Sequence, residues 1–280
     1  MTRPFKSELV LEERISEATL RAYNVGYEEN KFRLQPLVDV IRSVIPEFAL
    51  GYPAGHQITS SEIVDKLKEA AKIVYTTDKY QKRGEFGELI LHLLLRDFCK
   101  TVPLISKIYF KDTYNVTVHG FDGVHVTVEN GYNKLWLGES KLYQDGKSGV
   151  LDLSKDLKEH LAADYLRQEF ELISKKLPVD FPEVDYWRNL MDKHQKLEVI
   201  YSSIVIPMVC TYTSQVCQNH CEETKEYIES FITECKYLES EFQSKNVRTN
   251  LEVILMLLPV YDKNELNTEL DKRLKAMQQI

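Results

Sequence analysis

Apolar residues recur along the chain at two spacings, and the change from one to the other marks the elements. Pro36 opens a short helical pattern (Leu37, Val40, Ile41, Val44) that Pro46 ends. Thr59-Ser-Ser-Glu62 is a capping box. It starts a helix with Ile63, Leu67, Ala70, Ala71 and Val74 on one face. A second helix is expected over about residues 84–99, and a β-rich stretch over 105–143. A long amphipathic helix is expected over 153–177, striped by Leu153, Leu157, Leu161, Tyr165, Ile173 and Leu177. Residues 196–212, rich in Val and Ile, read as a buried strand. An acidic helical stretch (219–245), another apolar strand (251–260) and a terminal helix (264–280) complete the chain. The central order is α-β-β-β-α-β, within a mixed α/β fold.

Asn130-Gly131 is the strongest short hairpin signal a sequence offers. With those two residues as the loop, Glu129 opposes Tyr132, Val126 opposes Leu135, Val124 opposes Leu137, and Asp122 opposes Glu139. Opposed residues share a face, as do residues two apart on one strand. One face then carries Val124, Val126, Leu135 and Leu137, ending in Asp122, Glu139 and Lys141. His125, Thr127, Lys134 and Trp136 occupy the other. Two carboxylates and an ammonium are a costly ending for an apolar face unless paired or bound to metal. Carboxylates with Cβ atoms about 5 Å apart repel unless a cation or proton lies between them. A hard divalent cation such as Mg²⁺ meets that need. So does a salt-bridged hairpin end in which Lys141 pairs with Asp122 or Glu139 and nothing reacts.

The helix before the strands reads Lys82-Arg-Gly-Glu-Phe-Gly-Glu-Leu-Ile-Leu-His92. Glu85, Glu88 and His92 form one polar stripe on an otherwise apolar helix. Packed on the sheet, such a helix delivers a third carboxylate. Left in solvent, its glutamates are favoured by the helix dipole alone.

Together these residues resemble the PD-(D/E)xK nuclease superfamily, which has an α-β-β-β-α-β core. Asp122 matches the family aspartate, Glu139-Ser140-Lys141 matches (D/E)-x-K, and Glu88 or Glu85 matches the helix acid. Phe121 stands in place of the family proline. The resemblance covers residues 76–212, leaving 1–75 as an N-terminal extension and 213–280 as a C-terminal extension packed on the core. It implies Mg²⁺-dependent (or Mn²⁺-dependent) DNA hydrolysis. Asp122, Glu139, the Ser140 carbonyl and Glu88 would hold the metal, and Lys141 would act on the water or the developing charge. At a finer level, the RGEFGEL, GFDGVHV and LGESKLY segments are similar to the HamA family. These are nuclease subunits of the Hachiman anti-phage system, and they work beside a superfamily-two helicase, HamB, in the bacterial cytoplasm. A non-catalytic DNA-binding or regulatory subunit of a helicase complex is the competing expectation.

Composition narrows the field further. At 280 residues, 43% apolar and 28% charged, the chain is an ordinary globular protein of one large or two small domains. Its net charge of −7 argues against a protein that coats DNA by bulk charge. Much of the net negative charge lies between Glu222 and Glu241, where seven acidic residues meet two lysines. That stretch is either a solvated helix face or a docking surface. Five irregularly spaced cysteines and no visible secretory signal point to a reducing cytoplasm. Cys217-x-x-His220-Cys221 lacks the paired spacing of a zinc site. His160 and His194 read as ordinary polar residues. No Walker A loop is present, so ATP hydrolysis is not expected of this chain. Lys79, Lys82, Arg83 and Lys147 are candidates for phosphate contact or for solvated basic turns.

Overall fold

The computed structural model describes residues 6–51, 54–55, 57–74, 84–106, 120–129, 132–245, 247 and 249–280. Two hairpins come first, β1 (Glu12–Ser16) with β2 (Leu20–Asn24) and β3 (Tyr27–Glu28) with β4 (Lys31–Phe32). Helices α1 (Leu34–Ser43), α2 (Ile45–Leu50), α3 (Ile63–Val74) and α4 (Glu85–Phe98) follow. Strands β5 (Val102–Ser106), β6 (Gly123–Glu129) and β7 (Tyr132–Tyr143) come next. Helices α5 (Gly146–His160), α6 (Ala163–Lys176), α7 (Val184–Leu190) and α8 (Leu197–Ile200) lead to β8 (Ile204–Thr213). Helices α9 (Gln215–Asn219) and α10 (Lys225–Gln243) lead to β9 (Glu252–Val260), and α11 (Lys263–Gln278) ends the chain.

Among the described residues seven strands form one mixed sheet, in the order β1-β2-β9-β8-β7-β6-β5. The inner pairs β2–β9, β9–β8 and β8–β7 are parallel; the outer pairs are antiparallel. Helices cover both faces. Residues of α1–α4 and α11 pack with Val205, Val209, Met256 and Leu258 on one side. Residues of α5, α6, α7 and α10 pack with Val124, Val126, Leu137 and Met208 on the other. All ten residues of β8 are buried, because a parallel strand covered on both faces has no solvent side. No helix among the described residues is long and apolar enough to cross a membrane.

The hairpin register is the expected one, from Glu129↔Tyr132 to Gly123↔Gly138. The Asn130-Gly131 loop itself lies outside the described residues. So do Lys79, Lys82 and Arg83. Three expectations are corrected. Residues 153–177 are not one helix: the chain breaks at Ala162, whose ψ of 130° is extended. The apolar stripe continues through the break because α5 and α6 pack into the same cluster. Residues 196–212 are not all strand: 197–203 form a helical turn and a 3-10 turn before β8 begins at Ile204. Pro46 does not simply end a helix; it sits in the first turn of α2, where its missing N–H is harmless. The strands β1 and β2 have no counterpart in the sequence reading.

The paired glycines 123 and 138 make the close approach between hairpin and α4. A Cβ at Gly138 would lie 2.8 Å from Leu91 Cδ1, and one at Gly123 would lie 3.2 Å from Leu91 Cδ2. Leu91 is wholly buried, so it has little room to yield. Gly138→Ala should therefore overpack this contact and destabilise the protein by about 1–3 kcal/mol. The measure is the urea midpoint at unchanged m-value. An unshifted midpoint would mean the α4–hairpin spacing adjusts freely.

Candidate active site

Strand β7 outruns its antiparallel partner. It pairs with β6 only as far as Gly138, while on the other side it stays parallel to β8 out to Tyr143↔Tyr212. Glu139, Ser140 and Lys141 occupy this overhang. Asp122 stands where the ladder with β6 ends. Its backbone N–H donates to the Gly138 carbonyl at 2.9 Å. Its carboxylate Oδ2 then accepts from the Ser140 N–H at 2.9 Å and from the Ser140 hydroxyl at 2.8 Å. A side chain thus takes over the ladder where the strand stops. Asp122 holds the register position opposite Glu139, but it turns its carboxylate onto Ser140.

Glu139 and Lys141 project to the α5 side of the sheet. Lys141 Nζ lies 3.2 Å from Glu139 Oε1 and also forms an ion pair with Asp156 on α5. Burial alone would lower the Lys141 pKa. The charge of Glu139, the bond and charge of Asp156, and the charge of Asp122 outweigh it and hold the pKa above its usual value. Lys141 is therefore an ammonium, and it meets the charge of Glu139, which is 5% exposed. His160, one turn beyond Asp156, places Nδ1 4.0 Å from Glu139 Oε2. Its ring stacks on Tyr165 and meets the edge of Phe121. Glu169 on α6 accepts from the Phe121 N–H at 3.4 Å. Asp156 was not singled out in the sequence, and His160, read there as an ordinary polar residue, lies beside Glu139. The available signal is position: they fall three residues after Leu153 and Leu157, flanking the apolar stripe of α5.

Ser140 projects to the α4 side. A Cβ at Gly87 would meet its Oγ at 3.1 Å. This contact sets the first turn of α4, with Glu85 and Glu88, beside the Asp122–Ser140 segment. Both glutamates are buried, 9% and 6% exposed, so they are not a solvent stripe. His92 goes elsewhere. Its Nδ1 is 3.1 Å from His125 Nε2, and His125 Nδ1 is 2.7 Å from Thr101 Oγ1. His92 Nε2 is 3.7 Å from Glu47 of α2, which also accepts from Arg96 at 2.8 Å. Arg96 and Ser7 both bond Asp97. This second buried network ties α2 and the N-terminal residues to α4.

The donors at the hairpin end (two carboxylates, a backbone carbonyl and the nearby Glu88 or Glu85) are all hard oxygens, the set that suits Mg²⁺ or Mn²⁺. As they stand, Ser140 holds Asp122 and Lys141 holds Glu139. Among the described residues no three His, Cys, Asp or Glu side chains form a ready metal cage. A cation there would have to displace these bonds.

The other candidates have local partners. Lys147 pairs with Glu241 at 3.0 Å and lies over the Tyr237 ring. Cys217 is buried, which pushes its thiol up to about 11. His220 Nδ1 lies 2.9 Å from the Val216 carbonyl. Within the acidic stretch, Glu223 accepts from Arg14 and Asn24 and lies against Gly26. Glu234 accepts from Tyr212 and Ser214. Glu239 and Glu241 pair with lysines. Glu222 and Glu226 are exposed and project no such bond.

The arrangement is a mixed sheet between helix layers, with an acid-acid-lysine cluster at the overhang of its central hairpin. A family model describes the same chain: HamA matches residues 3–274. The protein belongs to the HamA family, and that membership suggests a role in anti-phage defence. No curated protein matches the chain significantly.

The histidine network gives a pH prediction. Burial first, then the charge of His92, holds the His125 pKa well below its ordinary value of 6.5. The unfolded chain takes up that proton near pH 6.5 and the folded chain does not. The stabilisation is therefore present above pH 6.5 and lost as pH falls, at up to about 1.4 kcal/mol per pH unit. Urea unfolding between pH 7.5 and 5.5 should show this loss, and His125→Gln should flatten it. Equal slopes in the two proteins would contradict the assignment.

Proposed function

We propose that this chain is a metal-dependent DNA nuclease of the PD-(D/E)xK kind, the effector subunit of a helicase–nuclease anti-phage complex. The observation that supports this most directly is the overhang of β7. It gathers Asp122, Glu139, Ser140 and Lys141 at one buried strand end beside the acidic first turn of α4. The order α4, β5, β6, β7, then helices α5 to α8, then β8 supports this reading, with three further helices inserted before the last strand of the α-β-β-β-α-β order. A protein that only held DNA would not need buried carboxylates and an ammonium converging there.

Asp122, Glu139, the Ser140 carbonyl and Glu88 or Glu85 would hold the cation. When bound, it supplies Lewis-acid polarisation of the scissile phosphate and a water of lowered pKa. Lys141, already an ammonium, supplies positive charge to the phosphate oxygens as negative charge develops on them. Asp122, bonded to the Ser140 N–H, fixes the relative position of the two strand ends. The buried surroundings strengthen each of these interactions by keeping water out.

Purified protein should cleave plasmid DNA with Mg²⁺ or Mn²⁺ and stop in EDTA. Glu139→Gln and Lys141→Met should each lower the rate at least about a hundredfold at equal folded concentration. Wild-type rates in either variant, or full activity in excess chelator, would leave the non-catalytic binding subunit as the better reading.

The helicase partner is part of this proposal; family membership and the net charge of −7, which gives weak intrinsic hold on DNA, support it. A partner that tracks DNA would raise the effective concentration of the nuclease on it. Changing Glu222, Glu226 and Glu229 to Lys, with the structurally engaged Glu223 left intact, should weaken co-purification with the neighbouring helicase at physiological salt. Unchanged recovery of the complex would move the docking surface away from α10. Separate elution of the wild-type proteins would remove the complex.

A further inference from the structure

We propose that Asp156 is a positioning residue for the site: it takes the Lys141 ammonium when Glu139 is needed for the metal. The inference rests on the nuclease reading and adds a residue from outside the (D/E)-x-K segment. Lys141 Nζ is shared between Glu139 Oε1, at 3.2 Å, and the Asp156 carboxylate. An ammonium on a ligand oxygen both blocks a divalent cation and repels it. Lys141 occupies one of the two Glu139 oxygens and repels a cation at the other, so Glu139 serves a cation better once Lys141 withdraws. A partly buried ammonium (Lys141 is 21% exposed) withdraws only toward another anion, since an uncompensated buried charge is costly.

Asp156 is that anion, and the fold holds it still. Helix α5 is capped by Asp145, whose carboxylate accepts from the Ser148 N–H at 2.8 Å. Its Val150, Leu153 and Leu157 are fixed in the core shared with β6, β7 and β8. Asp156 therefore stands at a set place above β7. It holds Lys141 near the strand end while freeing Glu139. With Asp156 neutralised, Glu139 becomes the anchor of Lys141 and the metal must compete with an ammonium.

The test uses the full chain and Mn²⁺ as probe, with binding read by titration calorimetry and cleavage by single-turnover rates on duplex DNA. Asp156→Asn should weaken Mn²⁺ binding about tenfold, within the range seen when partners of metal ligands are removed. At saturating Mn²⁺ its cleavage rate should remain about tenfold or more below wild type with KM for DNA unchanged, because Lys141 is misplaced. Asp156→Glu should recover most of that rate. Adding Lys141→Met to Asp156→Asn should restore Mn²⁺ affinity without restoring cleavage, a rescue that damage to α5 packing would not show.

The inference is overturned if wild type binds Mn²⁺ and cleaves DNA while Asp156→Asn matches it in both. It is also overturned if the double variant binds Mn²⁺ as weakly as Asp156→Asn. If wild type neither binds Mn²⁺ nor cleaves, the nuclease reading itself fails and this inference falls with it.

Discussion

Charge buried at the end of an apolar hairpin is the constraint on which the site depends. Val124, Val126, Leu135 and Leu137 commit one face of β6–β7 to the core, and Asp122, Glu139 and Lys141 lie just past them. Each charge would cost several kcal/mol if left alone there. The fold meets the cost locally: Ser140 donates twice to Asp122, and Lys141 is divided between Glu139 and Asp156. None of these bonds needs a ligand. They therefore explain how the site is stable as it stands, and they are also the bonds that the proposed cation would have to exchange.

The neighbouring elements serve this placement. The glycine pair 123 and 138 lets Leu91 sit close on the hairpin, and that closeness brings Gly87 onto Ser140 and buries Glu85 and Glu88 beside it. The parallel pairing with β8 keeps β7 straight beyond the end of β6. The histidine network through His92, His125 and Glu47 locks α2 and α4 together. Residues well outside the central strands thereby fix the angle at which α4 meets the sheet.

Much of this was legible in the sequence because it is periodic or local. Asn130-Gly131 and strict alternation fix the hairpin register, and the apolar runs of β8 and β9 announce buried parallel strands. What was not legible depends on contacts between distant segments. β1 and β2 are short, and β1, Glu-Glu-Arg-Ile-Ser, is mostly polar because it lies at the sheet edge. The α5–α6 break is hidden because both helices feed one apolar stripe into one cluster. The carboxylates and lysine of the candidate site, which the structure places at one end of β7, were legible. The turn of Asp122 onto Ser140 was not, nor were Asp156 and His160, whose roles exist only once α5 is laid over β7.

The most direct measurement is an anomalous scattering map from a crystal of the full chain soaked in Mn²⁺. The account predicts a strong peak at the Asp122–Glu139 end of β7, with Lys141 released from Glu139 and kept on Asp156. A map with no peak there, and Lys141 still bonded to Glu139, would contradict it.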